Sequence, residues 1–77
     1  MRVTVRAFAS LRDHAPERRE RFELELAQGA SVAAVLAAMQ LPPAVQTVLL
    51  VNGRRAEAAT ALADGDEVTL FPPMEGG

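Results

Sequence analysis

The chain ends in two glycines, Gly76 and Gly77, so its C-terminal carboxylate is the best candidate for a reactive group. Glycine has no Cβ, so such an end can enter a narrow tunnel and adopt backbone angles that other residues avoid. Pro72 and Pro73 precede this end and fix φ, which is expected to hold the base of the tail away from the fold. A stiff base with a slim tip predicts delivery of the carboxylate into the active site of another protein.

No side chain offers comparable chemistry. Cysteine is absent, which excludes disulfides, thiolate metal ligands, thiol nucleophiles and a persulfide carried by this chain. His14, the single histidine, has no cysteine or clear serine nucleophile to pair with, so we interpret it as structural or solvated. Asp64, Asp66 and Glu67 lack the ligand series of a calcium loop and are interpreted as turn residues, so we expect no metal site.

Composition indicates one small, compact, soluble domain, because 49% of the 77 residues are apolar and the formal net charge is -2. All eight basic residues are arginine, so no lysine side chain can accept an isopeptide bond. The arginines are scattered and lack interleaved aromatic residues, which argues against nucleic-acid binding.

No segment approaches the roughly 18 apolar residues of a membrane span, and the first residues alternate like a strand instead of resembling a signal peptide. We therefore expect no membrane association and a cytoplasmic location.

Periodicity and turn signals predict five strands, at residues 2–8, 21–26, 47–51, 54–57 and 67–71. Residues 47–51 are almost continuously apolar, which predicts an interior strand covered on both faces. Asn52-Gly53 is the strongest hairpin signal, and Asp64-Gly65-Asp66 predicts a second turn before the last strand. A short helical turn is expected at residues 9–15, before Pro16.

One helix is predicted after Ser31, because the apolar residues Val32, Val35, Leu36 and Met39 follow helical spacing. The helix should stop before Leu41-Pro42-Pro43. The Ser31 side chain is expected to cap the helix, and its loss should cost about 1 kcal/mol.

The order of these elements predicts an α+β fold in which one main helix packs on a mixed four- to five-stranded sheet. Among such folds the ubiquitin-like β-grasp is the natural choice. We expect the folded domain to span residues 1–71, with a flexible C-terminal tail at residues 72–77.

Two of the three phenylalanines are predicted to lie on the sheet face away from the helix. If Val5 faces the helix, alternation directs Phe8 to the opposite side, and the same argument from Leu70 places Phe71 there. With one side of the strand at residues 49–51 they would form an apolar patch. We interpret it as a partner-binding surface, although ordinary packing under a loop would also explain it.

The two ends of the chain resemble the MoaD/ThiS sulfur-carrier family, through VRAFASLRD at residues 5–13 and LADGDEVTLFPPMEGG at residues 62–77. The resemblance covers essentially the whole chain. The DGDEV turn and strand, the FPP segment and the terminal GG form the signature at these spacings. The FPPxxGG ending and the aromatic Phe8 in the N-terminal segment favour the small subunit of molybdopterin synthase over the thiazole sulfur carrier.

The resemblance implies a β-grasp fold and a mechanism in which the chain is not a catalyst alone. An E1-like enzyme would adenylate the Gly77 carboxylate with ATP and Mg²⁺, and sulfur from a persulfide donor would displace AMP to leave a thiocarboxylate. Gly76 supplies clearance, and this chain itself binds no cofactor. The acceptor would be a molybdopterin precursor held in the large subunit of molybdopterin synthase. Partner contacts are expected at Phe8, Phe71, Pro72, Pro73, Met74 and Glu75.

Arg55 departs from the family pattern, because an apolar residue is commoner near that point of the docking surface. The sequence therefore leaves open a sulfur carrier for thiamine, cysteine or tungsten-cofactor pathways. It also leaves open a ubiquitin-like protein modifier and a binding module with an inert tail. These functions differ in the fate of Gly77, which gains sulfur in a carrier, joins lysines of other proteins in a modifier, and stays unchanged in a binding module.

Overall fold

The structure is a computed structural model that describes residues 1–41 and 47–73. Within these residues one α-helix packs on a five-stranded mixed sheet, which confirms the predicted α+β, β-grasp arrangement. The elements are β1 (Arg2–Ala7), β2 (Arg21–Glu25), α1 (Val32–Ala38), β3 (Val48–Val51), β4 (Arg54–Arg55) and β5 (Glu67–Phe71). Two short 3₁₀ helices, Ala9–His14 and Pro16–Arg18, connect β1 to β2.

The strands lie in the order β2-β1-β5-β3-β4, and β5 is central. β1 and β5 are parallel, whereas β1 with β2, β3 with β5 and β3 with β4 are antiparallel. Since β1 and β5 are the first and last strands, the sheet joins the two ends of the described chain. No helix in the described residues is long and apolar enough to cross a membrane.

The core lies between α1 and one face of the sheet. Alternate residues of β1 and β5 point into it, and Val5, Val68 and Leu70 have no exposed surface. From α1, Val32 and Val35 are equally buried, as the helical spacing predicts. Fully burying a side chain of this size contributes about 1.5–3 kcal/mol, so these contacts supply much of the folding free energy.

The strand predicted to be covered on both faces is covered on one. β3 is interior to the sheet, yet only Leu49 is buried, while Val48 and Leu50 are half-buried. The prediction is wrong because α1 covers one face only, and no described element forms a layer over the other. The continuous apolar run therefore combines core residues with residues of an open face.

The N-terminus of α1 is capped by backbone groups from a distant loop. Ser31 occupies the N-cap position with extended backbone, but its side chain makes no capping hydrogen bond, so that prediction is wrong. The amide of Val32 donates to the carbonyl of Thr60 at 3.0 Å, and that of Ala33 donates to the carbonyl of Ala58 at 2.8 Å. These carbonyls satisfy donors that a capping side chain would otherwise have to satisfy.

Ser31→Ala should therefore change stability by less than about 0.5 kcal/mol, below the effect usual for a capping serine. Asp66→Ala is the comparison, because the Asp66 carboxylate accepts hydrogen bonds from Asn52 Nδ2 at 2.9 Å and from the Ala63 amide at 2.8 Å. We expect that change to cost about 1 kcal/mol or more. Urea denaturation measures both. A loss as large for Ser31→Ala as for Asp66→Ala would contradict the backbone cap.

Asn52 and Gly53 form the predicted hairpin turn, with positive φ angles of 52° and 84°. Positive φ at both central residues is the requirement of the tight turns that join antiparallel strands. The Asn52 side chain also accepts a hydrogen bond from the amide of Glu67 at 2.9 Å, which ties this turn to the start of β5. The hairpin is thus fastened to the central strand.

Candidate functional site

The sheet face opposite α1, called here the open face, carries Phe8 and Phe71. β1 and β5 run in parallel with Arg6 beside Thr69, so continuing the register brings Phe8 beside Phe71 at one end of the sheet. The amide of Phe8 donates to the carbonyl of Leu70 at 2.9 Å, which holds this register past the end of β1. Both phenylalanines are half-buried and point away from the core, as the alternation predicts.

Strand β3 extends this apolar surface. Val48 lies opposite Phe71, and Leu50 lies opposite Thr69. Phe8, Phe71, Val48 and Leu50 are all half-buried, and we call them the open-face patch. The third phenylalanine, Phe22, faces the core and is only 8% exposed. Because large apolar side chains left uncovered beside one another mark interaction surfaces, the patch is the candidate docking site.

Charged side chains border the patch. The guanidinium carbon of Arg6 lies 5.0 Å from the centroid of the Phe8 ring, within the range of a cation–π interaction. Arg6 Nη1 also lies 4.0 Å from Glu67 Oε1. Such contacts between partly exposed groups contribute little to stability, but they orient the Arg6 guanidinium over the Phe8 ring.

The chain leaves the sheet at the patch. Pro72 and Pro73 follow Phe71 directly and are half-buried. Met74, Glu75, Gly76 and Gly77 lie outside the described residues, so their predicted roles remain predictions. Six residues follow Phe71, and in extended form they reach at most about 20 Å from the end of β5. A partner docked on the patch would therefore lie within this distance of Gly77.

The acidic residues between residue 63 and β5 form the turn that the sequence predicts. Asp64 Oδ1 accepts a hydrogen bond from the Arg2 amide at 2.8 Å, and both carboxylate oxygens of Asp66 accept hydrogen bonds within this region. In the described residues no three side chains of His, Asp or Glu are placed to hold a metal ion. His14 is exposed, at the end of the first 3₁₀ helix.

Sequence comparison identifies the family. The model of the ThiS family matches residues 5–77. The chain belongs to the ThiS family. This confirms the resemblance and places the chain among ubiquitin-like proteins of the ThiS and MoaD sulfur-carrier group. The comparison with curated protein sequences gave no significant match.

Solved structures with similar folds include several kinds of protein. SAMP1 from Haloferax volcanii is 27% identical, with 100% of both chains covered and a TM-score of 0.79. A putative molybdopterin converting factor subunit 1 from Pyrococcus furiosus is 27% identical, with 96% of this ThiS-family chain and 99% of that chain covered and a TM-score of 0.79. The thiamine biosynthesis protein ThiS from Geobacter metallireducens is 25% identical, with 100% of both chains covered and a TM-score of 0.64. The β-grasp fold is therefore common to these proteins.

Proposed function

We propose that this ThiS-family chain carries sulfur as a thiocarboxylate on Gly77. The observation that carries the proposal is the combination of a family match that extends to Gly77 with a docking patch at the point where the tail leaves the sheet. The patch would position a partner enzyme, and the slim tail would enter its active site. Because activation consumes ATP, we place this chemistry in the cytoplasm.

The chemistry proceeds in two steps. A carboxylate oxygen of Gly77 attacks the α-phosphorus of ATP, pyrophosphate leaves, and an acyl-adenylate forms on an E1-like enzyme that holds ATP and Mg²⁺. A persulfide sulfur then attacks the acyl carbon, AMP leaves, and reduction of the remaining sulfur–sulfur bond by a thiol releases the thiocarboxylate. The enzyme must exclude water from the mixed anhydride, which favours a narrow entrance that Gly76 and Gly77 can pass.

The acceptor we favour is a molybdopterin precursor bound to the large subunit of a molybdopterin synthase. The FPPMEGG ending and the likeness to the Pyrococcus furiosus subunit support this choice. In that complex this chain would be the sulfur-donating small subunit. A carrier for thiamine, cysteine or tungsten-cofactor synthesis uses the same activation step and differs in the acceptor.

Intact-mass spectrometry tests the proposal. The full chain is incubated with the E1-like enzyme of the same organism, ATP, Mg²⁺ and a persulfide donor with excess thiol. We expect the mass to rise by the difference between sulfur and oxygen, and to stay unchanged when ATP is omitted. An unchanged mass in the complete reaction would overturn the carrier function.

A protein modifier is the second candidate, and the likeness to SAMP1, a small archaeal modifier protein, favours it. In that case Gly77 would form isopeptide bonds with lysines of other proteins. This chain has no lysine, so it could not form self-linked chains through a side chain. Covalent adducts that contain this chain and survive a denaturing gel would support the modifier, whereas a thiocarboxylate without adducts supports the carrier.

A further inference from the structure

A row of five residues crosses the open face, one from each strand. The register places Arg21 beside Arg6, Arg6 beside Thr69, Thr69 beside Leu50, and Leu50 beside Arg55. Neighbouring strands are about 4.8 Å apart, so the backbones of Arg21 and Arg55 are separated by about 19 Å. The row shares Leu50 with the open-face patch and places an arginine on each outer strand of the sheet.

The positive charges of this row are only partly compensated. Arg6 and Arg21 lie directly opposite one another on the same face, an arrangement of like charges that destabilises a sheet. Arg6 has Glu67 and the Phe8 ring as neighbours. Arg21 and Arg55 are exposed, and neither forms an ion pair or side-chain hydrogen bond with another residue in the ranges 1–41 and 47–73.

The carboxylates of the open face lie farther from the phenylalanines than the arginine row does. Glu23 and Glu67 flank Thr4 in the next row, and Glu25 lies beside Arg2 in the row after that. Each is close to an arginine of its own chain: Arg2 lies 3.0 Å from Glu25 and 4.0 Å from Glu23, and Arg6 lies 4.0 Å from Glu67. The open face of a second copy of this chain would therefore offer few free carboxylates to Arg21 and Arg55.

We propose that Arg21 and Arg55 set the charge pattern that the activating enzyme must present to the open face, namely two acidic flanks around an apolar socket. The socket receives the open-face patch, one flank pairs with Arg21 and relieves its repulsion with Arg6, and the other pairs with Arg55. Charge complementarity of this kind speeds association and selects partners. The identity of the partner rests on the proposed function, whereas its required charge pattern rests on the sheet register.

The test compares Arg21→Gln, Arg55→Gln and Arg54→Gln in the full chain. Arg54 is the matched control, because Arg54→Gln removes the same charge from the strand that carries Arg55. Arg54 lies opposite Val51, whose side chain packs toward the core, so Arg54 is not part of the open face. Binding to the E1-like enzyme of the same organism is measured by stopped flow and calorimetry at about 0.05 M and 0.5 M NaCl, where screening differs strongly. Circular dichroism verifies that each variant is folded.

Arg21→Gln and Arg55→Gln should each weaken binding about two- to fivefold at low salt, mainly through slower association, and less at high salt. Arg54→Gln should have a smaller effect. Equal effects of all three changes, or unchanged binding for Arg21→Gln and Arg55→Gln, would overturn the proposal.

Two further outcomes separate this proposal from the proposed function. If the wild-type chain binds the enzyme with this arginine dependence but gains no sulfur, the docking proposal stands and the carrier function fails. If the arginine changes instead abolish self-association in analytical ultracentrifugation and leave enzyme binding unchanged, the occupant is a second copy and the docking proposal is overturned.

Discussion

Deletion of Gly77 is expected to abolish sulfur loading completely and to change the thermal midpoint of unfolding by less than about 2 °C. The deletion moves the terminal carboxylate back by one residue, out of reach of the adenylating centre. The sequence predicts a tail beyond the folded domain, so no core contact should be lost. Intact-mass spectrometry after reaction with the activating enzyme measures the first effect, and differential scanning calorimetry the second.

Addition of one alanine after Gly77 is the companion variant. It preserves every native residue but removes the free carboxylate from Gly77, so it should also fail to gain sulfur. A normal gain of mass in either variant would show that the position of the terminal glycine carboxylate is not critical. A fall of several degrees in the midpoint would show that the tail contributes to the folded domain.

Leu70→Ala should mainly lower stability, whereas Phe71→Glu should mainly weaken binding, although the two residues are adjacent. Leu70 is fully buried, so its truncation should cost about 2–5 kcal/mol. That is a large part of the total expected for a 77-residue domain, about 4–12 kcal/mol. Phe71 lies on the open face, so Phe71→Glu should cost less than about 1.5 kcal/mol of stability. It should weaken binding to the activating enzyme at least about 30-fold, as loss of a central aromatic contact does.

Urea denaturation and calorimetric binding separate these two effects. Phe71→Ala serves as the control for the introduced charge, and it should retain the fold while losing a smaller part of the affinity. Unfolding of the isolated domain by Phe71→Glu, together with a similar loss of stability in Phe71→Ala, would place Phe71 in the core. Normal binding by folded Phe71→Glu would remove the patch as a docking site.

Much of the fold was predictable because the signals are local. Alternation of side chains along a strand determines which residues can share a face, so the burial of Val5 and Leu70 and the opposite orientation of Phe8 and Phe71 followed from their spacing. The Asn52-Gly53 turn was predictable for a similar reason, since few residues adopt positive φ at low cost. The membership of the ThiS family was recognisable from segments at the two ends of the chain.

Other features depended on contacts that no local pattern contains. The expected Ser31 cap was wrong because carbonyls of residues 58 and 60, more than twenty positions away, reach the first amides of α1. The expected burial of β3 on both faces was wrong because a run of apolar residues cannot indicate whether a second layer exists. In the described part of the chain α1 covers one face, and Val48 and Leu50 remain on the other.

The sequence by itself determined which residue types this chain offers: two glycines at positions 76 and 77, no cysteine, no lysine, and two phenylalanines on one side of their strands. Only the tertiary structure decided how the residues of the sheet are presented. Strand order and register bring Arg21, Arg6 and Arg55 into one row beside the open-face patch, although they come from three distant segments. The physical reason is that side-chain parity is a property of each strand, whereas neighbours across a sheet are set by backbone hydrogen bonds between strands far apart in sequence.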